Sequence, residues 1–172
     1  MTVFVALLRA VNVGGTGKLA MNELRSLCEQ AGFEQPRTYI QSGNVVVRTR
    51  LSEAKVKAKL ERELAAKMGK SVRVLVRSGP ELERILERNP FEGAAPNQVL
   101  VLFLDQAPAR DALQDLRIPG REQLELIGRE LFIHFPDGMG RSKLKVPFTD
   151  VGTGRNLRTV TKLAALAHEQ QP

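Results

Sequence analysis

Hydrophobic positions run along this chain with two periods, and the switches between them lay out its elements. Residues 3–8 are an unbroken apolar run rich in β-formers, which predicts a buried strand. A glycine-rich loop over 12–18 follows. Leu24, Leu27, Cys28 and Ala31 then recur at helical spacing, so a helix is predicted over 20–31, stopped by Gly32. Strands are predicted over 37–41 and 45–49, joined by the tight turn Ser42-Gly43-Asn44, and so short a turn makes them antiparallel. A long helix over 52–68 has Ser52 as its N-cap and Gly69 at its end, and a fourth strand covers 72–76.

The order β-α-β-β-α-β is that of a split βαβ, ferredoxin-like unit. A short helix over 80–88 leads into a loop over 89–97, the best candidate boundary. Beyond it the pattern predicts a strand over 99–104, a helix over 108–116, a hairpin of strands 124–127 and 131–135, and a closing helix over 156–169. The expected fold is therefore α+β: two ferredoxin-like subdomains, the second incomplete and without a clear final strand. Their sheets would be mainly antiparallel, with helices packed on one face. The expected division is 1–78, a linking helix and loop over 79–97, and 98–172.

The topology makes a functional prediction. Strands one and two of a split βαβ unit run parallel, with the third antiparallel between them. The loop after strand one should then lie beside the turn between strands two and three, where the first helix begins. Asn12, Gly14, Gly15 and Lys18 would meet Gln41, Ser42, Gly43 and Asn44 there, with Arg9 adding charge. Glycines let a backbone come close to a ligand, and free amides at a helix start suit an anion. The bland alternative is that these glycines serve tight turns and Asn44 only tolerates positive φ.

Composition narrows the picture. The chain has 172 residues, 42% hydrophobic and 26% charged, which is ordinary for a globular protein and argues against disorder. One cysteine, Cys28, allows no internal disulfide, and the N-terminus has no basic segment ahead of its apolar run. No apolar run reaches membrane-spanning length, so the cytoplasm is expected and a membrane partner is not. The net charge of +7 favours nucleic acid or nucleotides as partners, or serves solubility alone.

Known motifs mostly fail. A phosphate loop ending at Gly17-Lys18 would need Gly at Asn12 and Ser or Thr at Leu19. Residues 15–20 match a dinucleotide fingerprint, but a hairpin replaces the second crossover and no acidic residue ends strand two. The RNA-recognition motif shares the element order, yet the third strand lacks the aromatics that stack bases. Cys28 lies in an apolar stripe and reads as a core thiol; His134 and His168 are isolated, so no metal or cofactor is expected. The C-terminal third offers Arg141, Ser142 and Lys143 in a glycine-bearing segment. It also offers Arg155 and Asn156 before the last helix, with Arg155, Arg158 and Lys162 spaced as a basic stripe.

Four segments carry a family resemblance. Residues 6–15 resemble the ALLRGINVGG opening of the bacterial DUF1697 family, a domain of unknown function, and residues 38–46 its TYIQSGNVVF segment. Residues 135–144 resemble its YPDGxGRSKL, and residues 153–163 its TTRNWNTVTKL. The resemblance implies the same two-subdomain α+β fold and no particular activity. Ala10 replaces the family Gly, Gly154 a Thr, and Leu157-Arg158 a Trp-Asn pair, which removes an aromatic platform. The matching residues are mostly polar or glycine, which favours a binding site. The leading expectation is a phosphate-bearing anionic ligand, nucleotide or nucleic acid. Its first alternative is a small enzyme for an anionic substrate, with Asp137 or Asp150 as the available bases. Its second is a protein-interaction module.

Overall fold

The apolar run at the N-terminus becomes the central strand of a sheet in the computed structural model, which describes residues 1–13 and 18–171. In chain order the elements are β1 (Thr2–Leu8), α1 (Met21–Gln30), β2 (Glu34–Thr38), β3 (Asn44–Thr49), α2 (Glu53–Met68), β4 (Val74–Ser78) and α3 (Gly79–Glu87). Then come β5 (Val99–Phe103), β6 (Gln123–Ile127), β7 (Glu130–His134), β8 (Thr153–Asn156) and α4 (Leu157–Glu169). Two compact units result. The first is Met1–Glu83 with Lys162–Pro172, the second Arg84–Thr161. The end of α4 thus belongs with the N-terminal half, across the boundary expected from sequence.

In the first unit the strand order is β2-β3-β1-β4, all antiparallel, as a ferredoxin-like unit requires. Alternate residues of the strands (Phe4, Ala6, Leu8, Val45, Val47, Val74, Val76) pack against Leu24, Leu27 and Cys28 of α1 and Val56, Leu60 and Leu64 of α2. Burial pushes the Cys28 thiol up to about 12, so it is an inert core group. The opposite sheet face, with Val5, Leu7, Val46, Leu75 and Arg77, is buried as well. Ser52 caps α2 through its Oγ, which accepts from the Lys55 amide at 3.4 Å. The first helix lacks a capping side chain at Ala20, and Glu23 reaches back to the Ala20 amide instead, at 3.3 Å.

The second unit repeats the sheet, in the order β6-β7-β5-β8. The repeat extends to register. The Leu8 amide donates to the Gly43 carbonyl at 2.8 Å, and the Leu104 amide to the Arg129 carbonyl at 3.0 Å. Leu7 faces Asn44, and Phe103 faces Glu130; both polar residues are buried. Val5 faces Arg77, and Val101 faces Arg155; both arginines are buried. Each last strand ends on a helix cap: Ser78 Oγ accepts from the Glu81 amide, and Asn156 Oδ1 from the Thr159 amide. The chain therefore contains the same order of four antiparallel strands twice.

Four expectations are corrected. The final strand of the second unit exists as β8. Thr153-Gly154-Arg155-Asn156 has no apolar side chain to announce it, and the ladder to β5 holds it. The helix expected over 108–116 is a series of turns closed by i→i+3 bonds at Ala112, Gln114 and Leu116. Only Leu113 and Leu116 of this stretch reach the core, and Pro119 forbids extension, so a helix there would bury too little. The basic stripe fails because Arg155 lies in β8, buried, while Arg158 and Lys162 are exposed on α4. The strand expected over 37–41 also lies earlier, at Glu34–Thr38, with a bulge around Gln35 and Pro36.

Candidate functional site

At the end of β1 the chain makes two left-handed bends, at Ala10 (φ 56°) and Asn12 (φ 57°). Asn12 is the clasp of this region. Its Nδ2 donates to the Leu19 carbonyl and to the Gln41 carbonyl, both at 2.8 Å, and its Oδ1 accepts from the Leu19 amide at 2.7 Å. One side chain thus fixes the run into α1 beside the loop between β2 and β3, and Lys18 is held next to that clasp, exposed. The shared rim expected from topology is present. Gly14 and Gly15 lie outside the described residues.

The β2–β3 loop is closed from within. Fully buried Asn44 donates from Nδ2 to the Tyr39 carbonyl at 2.8 Å and to Ser42 Oγ at 2.9 Å. Gly43, at φ 89°, brings its backbone against Leu8 and Val11. The close approach this glycine permits is to the protein's own core. The amides of Asn12 and Asn44 are likewise engaged inside the rim, so their work is to build it. Gln41 is exposed.

Strand pairing adds a cation that the sequence pattern did not bring forward. The Arg9 amide donates to the Arg73 carbonyl at 2.9 Å, which seats exposed Arg73 beside half-buried Arg9. Lys70, also exposed, lies three residues before Arg73 in the same connection. Knowing that β4 joins the β1 edge with Val74 opposite Leu8 would have found Arg73, but register is not written in an apolar run.

The second unit's candidates divide in the same way. Ser142 Oγ donates to Glu122 Oε1 at 2.6 Å and accepts from the Leu144 amide at 3.1 Å, stitching its loop to the start of β6. That hydroxyl, then backbone amides, hold the Glu122 carboxyl below the usual carboxylate range. Arg121 grips Asp137 through two bonds, and with Arg141 nearby it holds the Asp137 carboxyl low as well. A carboxylate so held is a poor base at neutral pH. Arg141 and Lys143 are exposed. Arg155 donates to Thr153 Oγ1 at 2.8 Å and to the Gly154 carbonyl at 2.9 Å; burial lowers its guanidinium to about 10, so it stays charged. Asn156 is the cap of α4, with its Oδ1 accepting at 2.9 Å.

Two clefts lie elsewhere in the first unit. One, of about 430 Å³, separates α1 from α2 and is lined by Asn22, Ser26, Gln30, Glu63 and Lys67. The other, of about 410 Å³, opens beside Phe33, Thr49, Arg50 and Lys59. Neither includes a residue of the rim. Among the described residues there is no cluster of three metal-ligating side chains and no helix long and apolar enough to cross a membrane.

Comparison with known proteins fits this fold. Residues 1–132 match the family described as a protein of unknown function, DUF1697. The chain belongs to the DUF1697 family. The conserved bacterial protein SP0830 from Streptococcus pneumoniae has a similar structure, with a TM-score of 0.81 and 27% identity over 96% of this chain and 98% of that one. No curated protein matches the sequence.

The DUF1697 opening resembled by residues 6–15 has glycine where this chain has Ala10, and the backbone gives the reason. At φ 56° a Cβ sits close to the following carbonyl, which costs roughly 1–2 kcal/mol. Ala10→Gly is therefore expected to stabilise the protein by about 1 kcal/mol. Urea unfolding monitored by circular dichroism checks this; a lower midpoint for the glycine variant would show that no strain is held there.

Proposed function

We propose that this DUF1697 protein binds a phosphate-bearing anionic ligand, nucleotide-like or nucleic acid, at the rim formed by the loop after β1 and the β2–β3 loop. The observation that carries this reading is the Asn12 clasp, which joins the two loops and sets Lys18 beside them, with Arg9 and Arg73 following from strand pairing. Exposed cations of one sign at the end of a rigid sheet favour a negative ligand, and the net charge of +7 steers one toward the protein. The buried, unpaired thiol at Cys28 suits a reducing compartment such as the cytoplasm.

The test is a titration of the full chain with mononucleotides and a short single-stranded oligonucleotide at two salt concentrations. Binding should weaken steeply as salt rises, as expected when cations carry it. Lys18→Glu and Arg73→Glu, both surface changes, should each weaken it about tenfold, a loss of roughly 1.4 kcal/mol. Absence of binding at low salt, or affinities indifferent to salt and to both reversals, removes this reading.

A further inference from the structure

Among the described residues the two sheets have four edge strands, β2 and β4 in the first and β6 and β8 in the second. Three are closed to further pairing. β4 has Val74, Leu75, Val76 and Arg77 buried, and β8 has Thr153 and Arg155 buried. β2 is blunted: a bulge separates Glu34 from Arg37, Pro36 has no N–H, and Arg37 is tied to Glu169 at 2.7 Å. β6 has none of these devices. Its five residues pair with β7 without a shift, it contains no proline or basic residue, and Gln123 and Glu125 are exposed.

Register tells which groups of β6 face outward. The two-residue turn Gly128-Arg129 makes Ile127 and Glu130 a hydrogen-bonded pair, so Gln123, Glu125 and Ile127 direct their backbone groups at β7. The N–H and C=O of Leu124 and Leu126 therefore point away from the sheet, and no other hydrogen bond reaches them among the described residues. We propose that β6 takes up an extended segment of a partner protein as an added strand, with a Lys or Arg opposite Glu125 and an apolar residue on either side of it. Glu125 is the only charged side chain of the strand, and directly opposite side chains share a face, so a cation belongs across from it. The flanking residues of the segment lie on the face of Leu124 and Leu126, which pack against the second core, and so are apolar. A second copy of the chain fits badly, because the antiparallel register that pairs all four backbone groups sets Glu125 against Glu125 of the copy. None of this depends on the anion-binding reading above.

The test follows the β6 amides by NMR while the full chain is titrated with short blocked peptides. These are Thr-Ile-Lys-Ile-Thr, its Glu-centred counterpart, and the Lys peptide N-methylated at both Ile residues. In the free chain the Leu124 and Leu126 amides should exchange with solvent at least about tenfold faster than the Glu125 amide. The Lys peptide should shift both amides and slow their exchange. The Glu peptide should bind about tenfold more weakly, and the methylated peptide, which lacks the donors, should not bind. Glu125→Lys, a change at an exposed side chain, should reverse the preference between the Lys and Glu peptides. The proposal is overturned if Leu124 and Leu126 are already protected in the free monomer, or if the Lys peptide does not bind. It is equally overturned if methylation leaves binding intact or if Glu125→Lys keeps the original preference. Sedimentation showing a dimer that protects both amides overturns it in favour of a second copy.

Discussion

Gly43→Ala should cost about 3 kcal/mol of stability, the sum of left-handed strain and overpacking. The glycine sits at φ 89°, and an added Cβ would come within 2.6 Å of Val11 Cγ2 and 2.9 Å of Leu8 Cβ. Neither neighbour can retreat. Leu8 is fully buried at the end of the central strand, Val11 is buried, and the Gly43 carbonyl is tied to the Leu8 amide at 2.8 Å. The loop would have to lift from the strand, straining the Asn12–Gln41 and Asn44–Tyr39 bonds with it. Gly69→Ala is the matched control. Gly69 is also left-handed, at φ 70°, but nothing lies within 4 Å of its added Cβ. It should lose only the strain, roughly 1–2 kcal/mol. Urea unfolding of both variants separates the two terms. Equal losses would mean that the close approach at Gly43 carries no energy.

That contrast also marks how far the sequence could be read. The apolar run 3–8 and the helical spacing of Leu24, Leu27 and Cys28 foretold β1 and α1, because burial on a fixed period leaves a pattern. The meeting of Asn12 with Gln41 followed from topology, since a split βαβ unit allows one arrangement of its loops. What the side chains do there was not legible. Asn12 and Asn44 read as ligand contacts because they are polar residues in loops, but here half-buried Asn12 and buried Asn44 take their partners from the loops themselves, mostly backbone groups. Ile40 misled in the opposite sense. Its β-branched side chain reads as strand, so the predicted strand ran through it to residue 41, while the structure bends it left-handed and outward. Strand β8 stayed hidden because four residues without an apolar side chain carry no periodicity, and only the pairing with β5 defines them.

The duplicated unit leads to the second large effect. Each copy keeps an arginine, Arg77 or Arg155, at the same register of its last strand, buried on the sheet face away from the main helical or loop core. Arg77 is 1% exposed; its Nη1 donates to the Val76 carbonyl at 2.9 Å, and its Nε lies 3.6 Å from Glu81 Oε1 on the helix that follows. Burying a guanidinium is costly unless its donors are met, so its worth shows when it is removed. Arg77→Ala deletes the largest side chain on that face, leaves a cavity and strips Glu81 of its partner. About 3–5 kcal/mol should be lost in urea unfolding. Arg77→Met keeps most of the volume and should lose less, and adding Glu81→Gln should recover part of the remainder, because the leftover carboxylate no longer needs a cation. The sign of that last step is the decisive reading. If Arg77→Met with Glu81→Gln is no more stable than Arg77→Met alone, the ion pair contributes nothing. If Arg77→Ala itself unfolds within 1 kcal/mol of wild type, the buried arginine is no structural element and its recurrence at Arg155 has another origin.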